Sequence, residues 1–170
     1  MGALLLATAL ATVHGQVLAS RRADVLGLPG IERVILYRLP GRPSRCPRGY
    51  VVAVRSGRST IVRWRFRPRW MTGALCGSEF HWLRVRRLTS ARRPEIAFDI
   101  LLTPSIGEET DVLRAGARRL RRIRVFHADR IALVRRSFVL TWITAARSPD
   151  DKRLEVWRWQ DGAFRLGRSR

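Results

Sequence analysis

The chain has 170 residues, with 34 Lys and Arg side chains against 13 Asp and Glu, and its formal net charge is +21. Because 46% of the residues are hydrophobic and six are tryptophan, the composition excludes a disordered polycation and indicates a folded domain with a core. Two cysteines exclude a disulfide-dense scaffold and a zinc module built on four cysteines.

Lys152 is the only lysine, which bears on how the arginine excess is interpreted. Arginine forms planar forks that suit phosphate and carboxylate groups, so the excess favours binding to nucleic acid. A coding bias towards GC-rich codons predicts the same arginine-to-lysine ratio. The net charge needs an explanation under either interpretation.

The first 19 residues are predicted to be a signal peptide. Residues 2–13 (GALLLATALATV) match the hydrophobic region of such a peptide and are too few to span a bilayer, which takes about 20 residues. Cleavage before Ser20 is expected, with cleavage before Gln16 as a second site, although the start of the chain lacks the usual Lys or Arg. An uncleaved anchor and a buried N-terminal helix are the alternatives.

Export would permit a disulfide between Cys46 and Cys76. The two cysteines lie 30 positions apart, each in a turn-like setting, and a bridge between them would contribute about 3–4 kcal/mol by restricting the unfolded chain. Two unrelated free thiols are the alternative.

Beyond residue 30 the hydrophobic pattern has a period of two, which predicts strands with one buried and one wet face. The predicted strands are Val34–Arg38, Tyr50–Arg55, Thr60–Phe66, Phe80–Arg86, Glu95–Leu102, Asp111–Arg114, Leu120–Phe126, Arg130–Val134, Phe138–Thr144, Leu154–Trp159 and Phe164–Gly167. Their spacing predicts a mainly β fold, an antiparallel meander forming a sandwich, a barrel or blade-like units, in a single β-rich domain of residues 20–170.

Turn residues separate these strands. Ser56-Gly57-Arg58 and Gln160-Asp161-Gly162 predict hairpins, and residues 103–110 are predicted to be a loop. Residues 111–124 also carry a weak helical pattern, but Gly116 interrupts it, so Ala115–Ala117 is interpreted as a turn.

Residues 80–102 resemble the FG-GAP or VCBS-type repeat of extracytoplasmic β-propeller proteins. Leu88-Thr89 matches the approach to that family's calcium loop, and Arg93-Pro94-Glu95-Ile96 matches its exit. Residues 154–166 look like the tryptophan-rich hairpin of related secreted bacterial proteins. The resemblance implies a blade-like architecture and an exported location. It implies no calcium site, because Ser90–Arg93 replace the Asp and Gly positions and two arginines repel the ion.

No catalytic motif or cofactor site is found, and the chain is predicted not to be an enzyme. Cys76, Glu79 and His81 could face one cation, but no second ligand pair has zinc spacing, so no metal site is predicted. His127 and Asp129 are interpreted as parts of a turn rather than a catalytic pair.

The remaining acidic residues are not expected to do chemistry. Glu95 and Asp99 lie about 13 Å apart along one strand, too far to form a hydrolytic pair, and are expected to pair with arginines. Glu108, Glu109 and Asp111 are interpreted as a solvated acidic loop, with a loop that docks an arginine or binds a cation as the alternative.

Two arginine groups carry the functional prediction. The residues predicted to bind a polyanion are Arg63, Arg65, Arg67 and Arg69 along one strand, and Arg119, Arg121, Arg122 and Arg124 along another. Because Trp64 and Phe66 alternate onto the opposite face of the first strand, they are assigned to the core, and binding is expected to be phosphate-driven and salt-dependent.

The sequence therefore favours an exported, periplasmic or secreted, non-enzymatic β-domain that contacts anionic envelope polymers or lipid head groups. The alternatives are a ribosome-associated type of nucleic-acid-binding protein, an enzyme with an unrecognised site, charge that is tolerated without a ligand, and a mistranslated reading frame. No transmembrane span is predicted.

Overall fold

The computed structural model describes residues 13–40, 49–66, 78–103, 107–143 and 152–169, and these residues form an all-β fold. The strands are β1 (Gln16–Ala23), β2 (Glu32–Leu39), β3 (Gly49–Ser56), β4 (Ser59–Phe66), β5 (Glu79–Arg86), β6 (Glu95–Thr103), β7 (Gly107–Ala115), β8 (Leu120–Ala128), β9 (Arg130–Val134), β10 (Ser137–Ile143), β11 (Lys152–Gln160) and β12 (Ala163–Ser169). None of the described ranges contains a helix long and apolar enough to cross a membrane.

The strands pair in chain order into three antiparallel sheets of four strands each. Sheet 1 contains β1–β4, sheet 2 contains β5–β8 and sheet 3 contains β9–β12. This confirms the predicted mainly β antiparallel meander.

Sheet 2 lies between the other two sheets, and a hydrophobic core covers each of its faces. Leu36 and Val52 of sheet 1 pack with Phe98 and Ile100 of sheet 2 in the first core. The opposite face of sheet 2 contributes Val112, Phe126 and other apolar side chains to a second core with Phe138, Leu140 and Phe164 of sheet 3. Burial of both faces is unusual for an antiparallel sheet.

The alternation predicted for two strands is confirmed. In β4, Val62 and Phe66 are buried whereas Arg63 and Arg65 are exposed. In β6 the predicted face of Ile96, Phe98, Ile100 and Leu102 packs entirely in the core between sheets 1 and 2.

The second face of sheet 1 is not wet throughout. Ile35, Tyr37, Val51 and Ala53 form a third buried apolar cluster on that face, at the central strands β2 and β3. The solvent-facing parts of this face therefore lie towards the edge strands, at Arg63 and Arg65 of β4 and at Arg22 of β1 with its partner Arg33.

The first hairpin of sheet 2 repeats that of sheet 1 at an offset of 63 positions. Gln16 pairs with Arg38 in sheet 1, and Glu79 pairs with Leu101 in sheet 2. Both first strands also carry a bulge at the same place, between positions 17 and 19 in β1 and between 80 and 82 in β5. Equivalent positions of the two sheets can therefore be compared residue by residue.

The turns follow the sequence closely. Gly57-Arg58 and Asp161-Gly162 form the two predicted hairpin turns, and the latter pair has φ angles of 48° and 81°, as a tight hairpin requires. Residues 116–119 form the predicted turn between β7 and β8, so the helical pattern of residues 111–124 does not form a helix.

Two regions differ from the sequence-based assignments. The prediction of a solvated acidic loop at Glu108, Glu109 and Asp111 is wrong, because all three lie in β7 and are buried. Acidic residues are typical of exposed loops, but here sheets 1 and 3 cover both faces of sheet 2 and bury these side chains. Residues 16–19, assigned to the signal peptide, form the first half of β1 and pair with residues 36–38.

Gly107 is expected to be the most sensitive of the turn glycines. Its φ is 84°, and a Cβ added there would lie 2.4 Å from the Ala128 carbonyl oxygen, whereas Gly162, with φ 81°, faces open space. We expect Gly107→Ala to lower the free energy of unfolding by about 2–3 kcal/mol and Gly162→Ala by about 1 kcal/mol, because only the first adds a backbone clash to the conformational strain. Urea unfolding of both variants measures this difference, and equal losses would contradict it.

Candidate functional site

Acidic and basic side chains are separated between the interior and the surface. Excluding Asp150 and Asp151, which lie outside the described residues, the structure describes 11 of the 13 acidic side chains. Seven of these are buried, namely Glu32, Glu95, Asp99, Glu108, Glu109, Asp111 and Glu155. Because the described arginines are mostly exposed, the surface is more uniformly cationic than the net charge alone indicates.

Two of the buried glutamates hold equivalent loops. The Glu32 carboxylate accepts hydrogen bonds from the backbone N–H groups of Val25 and Leu28, at 2.9 and 3.1 Å. Glu95, 63 positions later, accepts a 2.9 Å bond from Leu88 N–H and also pairs with Arg114 at 3.1 Å. Both carboxylates satisfy buried donors of the loop that precedes their strand, which is a structural role. The expected pairing with an arginine is confirmed for Glu95 and wrong for Asp99, whose carboxylate meets His81 and Thr110 instead.

The acidic side chains of β7 point alternately to the two sides of sheet 2. Glu109 and Asp111 lie on the side of sheet 1, where they meet Arg122 and His127 of β8. Glu108 and Thr110 lie on the side of sheet 3 with Asp99 of β6. One strand thus supplies two separate polar clusters.

In the cluster facing sheet 1, one arginine and one histidine meet two buried carboxylates. Arg122 Nη1 lies 3.2 Å from Asp111 Oδ1, and His127 Nδ1 lies 3.4 Å from Glu109 Oε2. The second oxygen of Asp111, Oδ2, is buried, and a side-chain hydrogen bond links the carboxyls of Asp111 and Glu109.

Burial dominates the protonation of this cluster. It raises the pKa of Glu109 to about 8, and the neighbouring Asp111 charge adds to the rise. Burial also raises the pKa of Asp111, to about 6, while Arg122 opposes the rise. The pKa of His127 is lowered by burial and by the Arg122 charge. The two carboxyls therefore share a proton near neutral pH.

In the cluster facing sheet 3, one histidine lies between two buried carboxylates. His81 Nδ1 lies 3.1 Å from Asp99 Oδ2 and 3.1 Å from Glu108 Oε1. The other oxygen of each carboxylate is held by the protein, since Thr110 Oγ1 donates to Asp99 and the Ile131 N–H donates to Glu108. Burial raises the pKa of Asp99 to about 8, the Thr110 hydrogen bond opposes the rise, and the Glu108 charge adds to it.

The polyanion-binding residues predicted from the sequence fall into three groups. Arg63, Arg65, Arg119 and Arg121 are exposed. Arg122 pairs with Asp111 and lies 5.8 Å from the Trp64 ring, while Arg124 is half-buried and lies 4.6 Å from the Trp157 ring. Arg67 and Arg69 lie outside the described residues. Arg122 and Arg124 thus have partners within the protein.

The exposed members of both groups lie on or beside corresponding edge strands but on different faces of the sheets, because Arg63 pairs with Ala53 on the outer face of sheet 1, whereas Arg121 pairs with Arg114 on the face of sheet 2 that is turned to sheet 3. Arg63 and Arg65 lie on β4, Arg121 lies on β8, and these are corresponding edge strands of sheets 1 and 2. The Arg122–Trp64 contact joins the two strands directly. At the β7–β8 turn, a cleft of about 450 Å³ is lined by Arg114, Arg118, Arg119, Arg121, Ala115–Ala117 and Ile123.

The structure shows the surroundings of some of the other candidate residues from the sequence. Cys46 and Cys76 lie outside the described residues. His81 contacts Asp99 and Glu108, a combination that the sequence did not suggest. Asp129 accepts a hydrogen bond from the Ile143 N–H, and His127 meets Glu109 instead, so the interpretation of residues 127–129 as a turn is wrong for residues 127 and 128, which end β8.

Comparison of the chain with family models, curated proteins and solved structures finds no match. The described residues offer two kinds of chemistry to a ligand. One is the set of guanidinium groups on β4, on β8 and in the cleft, and the other is His81 with the carboxylates of Asp99 and Glu108 between sheets 2 and 3.

Stability is expected to fall as the pH rises from about 6.5 to 8.5. Buried Glu109 and Asp99 have pKa values raised to about 8, so over this range the folded protein holds protons that the unfolded chain has already lost. When those protons are lost, buried negative charge appears in the folded state, and the free energy of unfolding decreases. We expect Glu109→Gln to flatten the dependence, because the amide carries no charge at any pH in this range.

Urea unfolding in a buffer with EDTA measures this, with exposed Asp161→Asn as the control that keeps the wild-type slope. The charged groups on the same side of sheet 2 as Glu109 are Asp111, Arg122 and His127, and the charge of Asp99 on the other side acts on it through the sheet. Unchanged or rising stability of the wild type over this range would contradict the expectation.

Proposed function

We propose that this chain is an exported, non-enzymatic β-domain that binds anionic polymers of the cell envelope through arginines on and beside strands β4 and β8. One observation carries the proposal: most described acidic side chains are buried, while Arg63, Arg65, Arg119 and Arg121 are exposed. Such a surface attracts polyanions over a distance set by ionic strength.

The cleft at the β7–β8 turn supports a contact with phosphate, sulfate or carboxylate groups. The described residues that line it include four arginines and no acidic side chain. Guanidinium groups donate paired hydrogen bonds to such oxyanions, and these charge-assisted bonds are stronger than neutral ones. A repeating anionic polymer would place one group in the cleft and others along β4 and β8.

The tryptophans favour an anionic polymer without base recognition. Single-strand nucleic-acid binding uses aromatic rings that are open to stacking on one face. Here Trp64, Trp157 and Trp159 are half-buried and each lies against an arginine of the protein itself. These three rings are therefore not open to base stacking, and contact of this part of the described structure with nucleic acid would go through phosphates.

The resemblance to FG-GAP-type repeats belongs to the same proposal. It is supported by the four-stranded meander of each sheet and by Glu95, which begins β6 and holds the preceding loop, as Glu32 does for β2. Blade-like units of this kind are common in extracytoplasmic proteins, which is consistent with export.

Heparin affinity tests whether the exposed arginines bind a polyanion. We expect wild-type affinity to fall steeply with salt, and Arg119→Gln/Arg121→Gln to weaken binding about tenfold at low salt, because two counterion-releasing contacts are lost. The slope of log K against log salt should decrease by about 1–2 units. Titrations with duplex DNA and with anionic vesicles at the same two salt concentrations separate the classes of ligand.

A matched control removes the same charge elsewhere. Arg22 and Arg33 are exposed cross-strand partners in β1 and β2, towards the opposite edge of sheet 1 from β4. Arg22→Gln/Arg33→Gln should keep most of the affinity. Equal weakening by both double variants would mean that net charge alone sets the affinity and would contradict a specific site. Binding that does not depend on salt would contradict the proposal as well.

The mature chain is expected to begin at Gln16. Strand β1 begins there, so cleavage before Gln16 leaves it whole, whereas cleavage before Ser20 would remove residues 16–19 from the sheet. Mass spectrometry of the native protein gives its N-terminus. A chain that begins at Met1 or Gly2 would contradict export, and one that begins at Ser20 would contradict the retention of β1.

A further inference from the structure

We propose that His81, Asp99 and Glu108 bind a divalent transition-metal ion such as Zn²⁺ between sheets 2 and 3. The three side chains come from three neighbouring strands of sheet 2, β5, β6 and β7. Each offers one ligand atom, and all three atoms lie within 4.8 Å of one another. Imidazole nitrogen and carboxylate oxygen are ligands that Zn²⁺ accepts.

The two distances from His81 to the carboxylate oxygens match those around a common metal ion. His81 Nδ1 lies 3.1 Å from both Asp99 Oδ2 and Glu108 Oε1. Two metal–ligand bonds of about 2.0–2.1 Å separate their ligand atoms by about 3.3 Å at a tetrahedral angle and about 2.9 Å at a right angle. The observed separation falls between these values.

The orientation of both carboxylates is already set by other groups. Thr110 Oγ1 donates to the second oxygen of Asp99, and the Ile131 N–H from sheet 3 donates to the second oxygen of Glu108. Such outer contacts orient ligands in metal sites. The free oxygen of each carboxylate is left facing His81.

The fold itself does not require polar groups at these positions. By the 63-position offset, His81 corresponds to Leu18 of sheet 1, and Asp99 corresponds to Leu36. The third equivalence follows from strand pairing. Glu108 pairs with Leu101, and Tyr50 pairs with Arg38, which is the equivalent of Leu101 in sheet 1. Sheet 1 thus places three largely apolar side chains where sheet 2 places a histidine and two carboxylates. Burying two carboxylates beside each other costs free energy, which a bound cation would offset.

The β5 bulge and the edge position of His81 provide access. The bulge between Phe80 and Trp82 leaves His81 without a cross-strand partner, and bulges commonly re-aim a side chain in this way. The His81 side chain is 33% exposed, whereas that of Asp99 is fully buried. An ion would therefore enter from solvent at the histidine and keep coordination positions open on that side, where water or a substrate oxygen could bind.

The chain offers a matched control on the other side of β7. His127 also lies beside a buried glutamate, Glu109, but its Nδ1 is 3.4 Å away and Arg122 supplies the positive charge of that cluster. This histidine is not among the described groups that could hold an ion. His127→Ala should therefore leave metal binding unchanged.

Isothermal titration of the EDTA-stripped full chain with Zn²⁺ alone tests the proposal. We expect one saturable site per chain, weakened about 100-fold or more in His81→Ala and in the nearly isosteric Asp99→Asn, and unchanged in His127→Ala. Zn²⁺ should raise the Tm of the wild type and of His127→Ala only. Co²⁺ in place of Zn²⁺ should give visible absorption bands that disappear with His81→Ala.

His81→Leu, which copies sheet 1, covers the case in which the alanine variant does not fold. We expect it to unfold cooperatively in EDTA and to show no Zn²⁺-dependent rise in Tm. Absence of saturable Zn²⁺ binding by the wild type would overturn the proposal. Binding of equal strength in the wild type and His81→Leu would overturn it as well.

Discussion

Sheet 2 is covered on both faces, by sheet 1 on one side and by sheet 3 on the other, and the rest of the molecule depends on this arrangement. A charged side chain on a central strand of such a sheet loses its hydration whichever way it points. Asp99, Glu108, Glu109 and Asp111 all lie on β6 and β7 and are all buried. Each needs a counter-charge, a hydrogen-bond donor or a proton.

The protein meets this need differently on the two sides of β7. Towards sheet 1, Arg122 supplies a permanent charge, and the two carboxyls beside it hold a proton at neutral pH. Towards sheet 3, His81 alone lies between two carboxylates, each of which is held by a further hydrogen bond. The second arrangement leaves three side chains of the types that bind metal ions, with the His81 side open to solvent.

Burial of the acidic residues also shapes the surface. The cationic character of this protein comes both from the number of arginines and from the withdrawal of carboxylates into the sheets. Some arginines are drawn inward as well, such as Arg124 over the Trp157 ring, so the count of basic residues overstates the arginines that a partner can reach. Arg119 and Arg121, which stay exposed, line a cleft at the β7–β8 turn.

Much of the fold could be predicted from the sequence because the relevant interactions are local. A period of two marked the buried and exposed sides of β4 and β6, and Asp161-Gly162 marked a hairpin through the backbone angles that it favours. Strand β1 was missed because its residues follow an apolar run typical of a signal peptide. Strand β7 was missed over Gly107–Thr110 because acidic residues seldom occupy a buried strand.

The sequence by itself determined the all-β meander, its hairpins and the excess of positive charge, since strand alternation and turn chemistry act between near neighbours. Only the tertiary structure decided which charges are buried and which meet. His81, Asp99 and Glu108 come from three strands, and their contact depends on strand register, on one bulge and on a third sheet that supplies the Ile131 N–H. These are long-range features that residue spacing does not encode, because each is set by the packing of whole sheets.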